Sequence, residues 1–218
     1  LESGVQINDA REKAIIRDSE FDTCASGILA QNNSAAIQII DNKIIRCVYG
    51  IICRDNAVTE VARNSIAFSG VYGIDAGNSA PSAIIKENLV GYGSSGTGII
   101  CRGNDEIRRN TIQANIGIEI KETATARIRS NLILADNSRN SIGVLYSGDQ
   151  NYSTASNSVQ YNLIWDIPTG NSRRYLNSDQ TTLPGISTDL RSDPALSGGN
   201  PFLELPSLNY SYVPSSGS

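Results

Sequence analysis

The sequence predicts an all-β solenoid, a stack of coils built from short strands, and three observations point to it. The phrase apolar-x-x-Asn-x-apolar returns at Ile39-x-x-Asn42-x-Ile44, Val61-x-x-Asn64-x-Ile66, Ile85-x-x-Asn88-x-Val90, Ile107-x-x-Asn110-x-Ile112, Ile128-x-x-Asn131-x-Ile133 and Val159-x-x-Asn162-x-Ile164. Ile16-x-x-Ser19-x-Phe21 is a degenerate first copy. In phase with it, a Gly precedes a β-branched residue at Gly4, Gly27, Gly50, Gly73, Gly98, Gly117 and Gly143, at intervals of 23, 23, 23, 25, 19 and 26 residues. A repeat of this length buries its apolar face only by stacking on its neighbours. Finally, no stretch sustains the i, i+3, i+4, i+7 spacing of an amphipathic helix.

Within each repeat, two or three short strands are expected. The first follows the Gly, with apolar or small residues at +1 and +3 (Ile28 and Ala30, Ile51 and Cys53, Ile74 and Ala76, Ile99 and Cys101, Ile118 and Ile120, Val144 and Tyr146). Alternation turns these inward and sends +2 outward. A polar cluster such as Arg54-Asp55-Asn56 or Arg102-Gly103-Asn104-Asp105 then reads as a turn. The next strand ends at the recurring Asn, whose amide suits a bend with a left-handed backbone, donating to one coil and accepting from another. Repeated at Asn42, Asn64, Asn88, Asn110, Asn131 and Asn162, it forms an internal ladder.

Charges flank that ladder in columns. Position −1 runs Asp18, Asp41, Arg63, Glu87, Arg109, so opposite signs stack from Asp41 onward, as in cross-strand charge pairs. Position −2 adds Arg17, Lys86, Arg108 and Arg129. Two readings stand: a solvated face of alternating pairs, or a binding surface for an acidic polymer.

The whole is expected to be one domain, with a β-helix over 1–165 and an irregular capping or lateral tail over 166–218. That tail holds five of the prolines together with Leu176, Leu183, Leu196 and Phe202. Outward +2 residues Leu29, Ile52, Ile100 and Leu145 make an apolar stripe that wants a cover, from the tail or from another subunit. Residues 1–7 already enter a coil, and Leu1 is not an initiator Met, so the expectation is a chain cut from something longer, its first coil open or formerly capped. A net charge of −4 and a pI near 4.9 argue against nucleic acid or an anionic membrane surface as partner. Nor is there an apolar run long enough to span a bilayer. The four cysteines fall at repeat positions; Cys24 and Cys47 are one coil apart, within reach of a disulfide, but parallel stacking favours reduced, core-facing thiols. Three Asn-x-Ser triplets, beginning at Asn32, Asn151 and Asn209, are glycosylation acceptors in a host that uses them.

With both columns placed, residues 4–165 resemble the right-handed parallel β-helix proteins of the pectin-lyase-like superfamily. Asp193-Pro194-Ala195-Leu196, followed by Leu203 and Leu205, is similar to the tail that often closes such helices. The resemblance implies a right-handed, single-stranded parallel β-helix of about seven coils, one for each repeat Gly. It also implies a secreted or cell-surface location. Members of the superfamily include polysaccharide lyases, glycoside hydrolases, uronate epimerases, tailspikes and non-catalytic adhesins, so the fold does not choose a reaction.

In catalytic members of the superfamily the cleft lies outside one sheet, on consecutive coils. The corresponding ridge here carries Arg54, Asp75, Arg102, Glu119 and Lys121 as candidate substrate-binding residues. Asp75 and Glu119 lie two coils apart, roughly 10 Å at the spacing of neighbouring strands, near the upper end for an inverting glycosidase, with Ile100 between them. A lyase needs a base and a cation beside the substrate carboxylate, roles open to Arg54, Arg102 and Lys121. Asn32, Asp55 and Asn78 offer oxygen ligands for calcium; no other metal or cofactor is expected. The chain has no His, which removes the commonest general base and zinc ligand. The leading reading is an extracytoplasmic module that meets polysaccharide, with lyase-type chemistry as one option. Its rival is a non-catalytic subunit of a filament, spike or cell-surface layer, self-associating through the first coil or the apolar stripe.

Overall fold

The computed structural model describes residues 2–32, 36–54, 58–67, 70–77, 83–91, 96–121, 124–135, 141–147, 159–165, 173–176 and 182–183. Among these, three sheets of nine, seven and seven strands wind round one another. The first sheet comprises Val5–Asn8, Ser26–Gln31, Tyr49–Cys53, Tyr72–Ala76, Thr97–Cys101, Ile116–Ile120, Ile142–Tyr146, Arg173–Leu176 and Thr182–Leu183. Ala14–Arg17, Ile37–Ile40, Val58–Ala62, Ile84–Lys86, Glu106–Arg108, Arg127–Arg129 and Val159–Gln160 form the second. The third holds Glu20–Asp22, Lys43–Ile45, Ser65–Ala67, Leu89–Gly91, Thr111–Ala114, Leu132–Ala135 and Leu163–Trp165. Pairing is parallel throughout, save that Thr182–Leu183 returns antiparallel to Arg173–Leu176. Each coil thus contributes three strands, and seven such coils run from Val5 to Trp165. The remainder of the expected tail, residues 166–172, 177–181 and 184–218, lies outside the described residues.

Alternation sets the inside. In Ile37–Ile40 the burial alternates residue by residue, with Ile37 and Ile39 at 0% exposure. Ile28, Ile51, Ile74, Ile99, Ile118 and Val144 stack in register at the centre of the first sheet, all fully buried. Burying each such side chain contributes about 1.5 to 3 kcal/mol, and their stiff β-branched rotamers suit a pleated wall. Facing them, Ile44, Ile66, Val90, Ile112, Ile133 and Ile164 line the third sheet. The repeat Gly fits where these two walls converge. A Cβ on Gly27 would stand 2.5 Å from Ile44 Cγ2 and 2.8 Å from the carbonyl oxygen of Gly50, so nothing larger is accommodated.

The asparagine ladder runs unbroken through the bend between the second and third sheets. Asn42 Nδ2 donates to Asn64 Oδ1 at 3.0 Å, and the same step repeats from Asn64 to Asn88, Asn110, Asn131 and Asn162. Each Nδ2 also donates backward to a carbonyl of the preceding coil, as Asn64 does to Ile39 at 2.9 Å. One expectation needs correcting here. The left-handed residue is not the Asn but the one before it: Asp18, Asp41, Arg63, Glu87, Arg109, Ser130 and Tyr161 have φ between 51° and 57°. That twist is what swings the following Asn inward.

Candidate functional site

The ridge expected from the sequence is assembled on the first sheet, though not as an open cleft. Asp75 and Glu119 share one outward column with Leu29, Ile52, Ile100 and Leu145, in register rung by rung. That column is enclosed within the single chain: exposure is 5% at Ile52, 6% at Asp75, 0% at Ile100, 8% at Glu119 and 9% at Leu145. The expected apolar stripe is therefore not a free surface, and only Leu29 remains half-buried.

Both acids are engaged. Asp75 Oδ1 accepts from Arg102 Nε at 3.0 Å. Glu119 Oε1 accepts from Ser147 Oγ at 2.8 Å and lies 3.3 Å from Lys121 Nζ. Arg102 and Lys121 stand in the file beside this column, held by backbone bonds to the preceding coil (Arg102 N to Ala76 O, 3.2 Å; Lys121 N to Cys101 O, 2.9 Å). Arg54 occupies the same file two rungs earlier, is exposed, and has no ion pair among the described residues. Of the calcium column, Asp55 and Asn78 lie outside the described residues.

The second sheet presents a different outer face. Gln38, Glu60 and Lys86 form a chain there, Gln38 Nε2 donating to Glu60 at 2.8 Å and Lys86 Nζ bridging to Glu60 at 2.8 Å. Lys86 is the leading cause that holds the Glu60 carboxyl below its usual range. At the adjoining bend, Arg63 makes a two-pronged contact with Asp41, 2.7 Å on each arm, which lowers the Asp41 pKa. Arg109 faces Glu87 at 3.5 Å. Between third and first sheets, Arg46 pairs with Asp22 and Lys43 with Glu20 at 3.0 Å. The −1 column therefore is the alternating charge stack that its sequence implies.

Four thiols are free. Cys47, Cys53 and Cys101 are buried, and burial raises all three, Cys47 to about 11. Cys24 is half-buried; its N–H donates to Cys47 Sγ at 3.4 Å. A feature the sequence did not reveal is Asp105, 1% exposed inside the corner after Cys101. Its carboxylate accepts from Ala83 N at 2.8 Å and from the Cys101 thiol at 3.1 Å, and burial raises its pKa.

Rungs that repeat in this way, around a continuous amide ladder, define a β-solenoid of the pectin-lyase-like parallel β-helix superfamily. Its nearer kin come from the sequence itself: the profile of the periplasmic copper-binding protein family (NosD) matches residues 1–185, and the chain belongs to that family. No curated protein and no solved structure shows significant similarity to it. The donor set does not fit a copper centre. The 218 residues contain neither His nor Met. Among the described residues no group of three or more His, Cys, Asp or Glu converges on a point that could hold a metal ion. The one neighbouring thiol pair, Cys24 and Cys47, includes a sulfur that burial keeps protonated at neutral pH. Among the described residues, too, no helix is long and apolar enough to cross a membrane.

Proposed function

We propose that this chain is an extracytoplasmic β-helix module that binds polysaccharide, without cleaving it, along the first-sheet file of Arg54, Arg102 and Lys121. The observation that supports binding over cleavage is the engagement of both ridge carboxylates, Asp75 by Arg102 and Glu119 by Ser147 and Lys121. Neither acid is free to take a proton or to activate water. An inverting glycosidase keeps a water between its two carboxyl groups, and here Ile100 fills the intervening rung with no exposure. Cations fixed by buried carboxylates do suit the oxygen-rich edge of a sugar chain. The periplasmic setting named in the family description supports a location outside the cytoplasm.

A panel of uronate polymers and neutral glucans tests this in two ways, by retardation of the protein in polymer-loaded native gels and by absorbance of unsaturated product. Retardation without an absorbance gain is expected. An absorbance gain on any polymer makes the protein a lyase, and no retardation by any polymer removes the binding reading.

A further inference from the structure

We propose that the outward face of the second sheet, across its fourth to sixth coils, binds a carboxylated polysaccharide laid along the helix axis over Lys86, Arg108 and Arg129, with Arg127 beside them. The proposal rests on the reading that the module meets polysaccharide, and it names a second site and the class of polymer.

Lys86, Arg108 and Arg129 are partners in register on successive rungs. Neighbouring rungs are about 4.8 Å apart, and like charges directly opposite one another destabilise a sheet. The adjacent −1 column avoids that cost by alternating sign, Arg63 against Asp41 and Arg109 against Glu87. Two files, side by side on one face, thus follow opposite rules.

Compensation within the cationic file is incomplete. A single carboxylate, Glu106, meets Arg129, whose Nε donates to it at 3.1 Å, and Arg108, whose Nε lies 3.0 Å away. Arg127 is its register neighbour on the next rung, is exposed, and has no ion pair of its own among the described residues. Three guanidinium groups therefore share one negative charge. The approach of Arg108 is also off the hydrogen-bonding direction, so its buried Nε–H finds no acceptor. Unlike the enclosed first-sheet column, this face is open: the side chain of Arg129 is 52% exposed.

What completes such a file is a row of anions at the pitch of the coils. A polymer with one carboxylate on each sugar supplies that row, since a sugar residue and a β-helix rung have similar lengths. Arg and a carboxylate then meet in paired, charge-assisted bonds. Because the chain as a whole carries −4, attraction is confined to this patch and is weakened by salt.

The test compares polygalacturonate with its fully methyl-esterified form, which keeps the backbone and removes the charge, and with a DNA fragment. Four proteins enter: the unaltered chain, Arg127→Gln/Arg129→Gln, Arg46→Gln/Arg63→Gln as a control with the same change in net charge, and Arg54→Gln/Lys121→Gln on the first sheet. Circular dichroism checks that each is folded. The unaltered chain is expected to bind polygalacturonate in a salt-sensitive way, and the ester and DNA much more weakly. Arg127→Gln/Arg129→Gln is expected to weaken that binding roughly tenfold, the loss of one charge-assisted contact, while the control pair keeps it. Equal loss in those two variants, or equal binding of the ester or of DNA, overturns the inference. Loss in Arg54→Gln/Lys121→Gln alone also overturns it while leaving the proposed function intact, and binding to no polymer at all overturns both.

Discussion

Asn88 shows how much one side chain carries here. Its Oδ1 accepts from Asn64 N at 2.9 Å and Asn64 Nδ2 at 3.0 Å, while its Nδ2 donates to Val61 O at 2.9 Å and Asn110 Oδ1 at 3.0 Å. Truncation strands partners on both sides, and buried groups left unpaired cost about 1 to 3 kcal/mol each. Asn88→Ala is therefore expected to lose about 3 kcal/mol in urea denaturation, and Asn88→Asp more at neutral pH, because a carboxylate would face two acceptors. A loss under about 1 kcal/mol for Asn88→Ala would show the ladder to be incidental. The ladder was legible because the Asn recurs at a fixed place. The left-handed residue before it was not, since Asp, Arg, Glu, Ser and Tyr all serve there and only Asp is disposed to that conformation. The packed coil imposes that twist; the residue type does not reveal it.

At the scale of an element, the corner Arg102-Gly103-Asn104-Asp105 reads in sequence as an exposed turn, yet it folds its last residue inward. Asp105 ties two coils by accepting from Ala83 N, and it binds the Cys101 thiol. Its pKa is raised by burial above the model value of 3.8. The native state then holds this proton at pH values where the unfolded chain has released it, so its contribution is fully present below about 3.8 and lost as pH rises through the native value. The surface acids Asp41, Glu60 and Glu106 shift the opposite way, and what they contribute is present at neutral pH and lost on acidification. Asp105→Asn keeps an acceptor for Ala83 and removes the titration. It is expected to be at least as stable as the parent at pH 7 and to lose that advantage near pH 4. Thermal melts across this range read the difference, and parallel curves for the two proteins would mean that Asp105 does not titrate with unfolding.

For the molecule as a whole, stability is a sum over neighbouring coils. The first coil packs on one side only: Val5, Ile7, Ala14 and Phe21 are partly buried against the core, whereas Ile74 and Ile99 are at 0% exposure. Amide exchange is expected to be fastest among the ordered strands at Val5–Asp22 and slowest near Tyr72–Cys101. Uniform protection along the axis would instead mean one all-or-none unit. Periodicity told which residues face in and which face out, and it placed Arg54, Asp75, Arg102, Glu119 and Lys121 on one sheet. It did not tell which outer face is open. Enclosure of Ile52 and Ile100 depends on chain remote in sequence, which a local pattern does not encode, so the charged second sheet stood out only once coordinates had separated it from the covered first.

The ladder also has a direction. Each asparagine gives its hydrogens to the oxygen of the coil that comes later in the chain, and reaches back only to a backbone carbonyl already made. During synthesis or export from the amino terminus, the newest turn would always carry a pending donor at its leading edge. Growth from that end satisfies one donor at a time, like a zip closed from the bottom, whereas a chain wound from the other end would lay down acceptors first and wait for their donors.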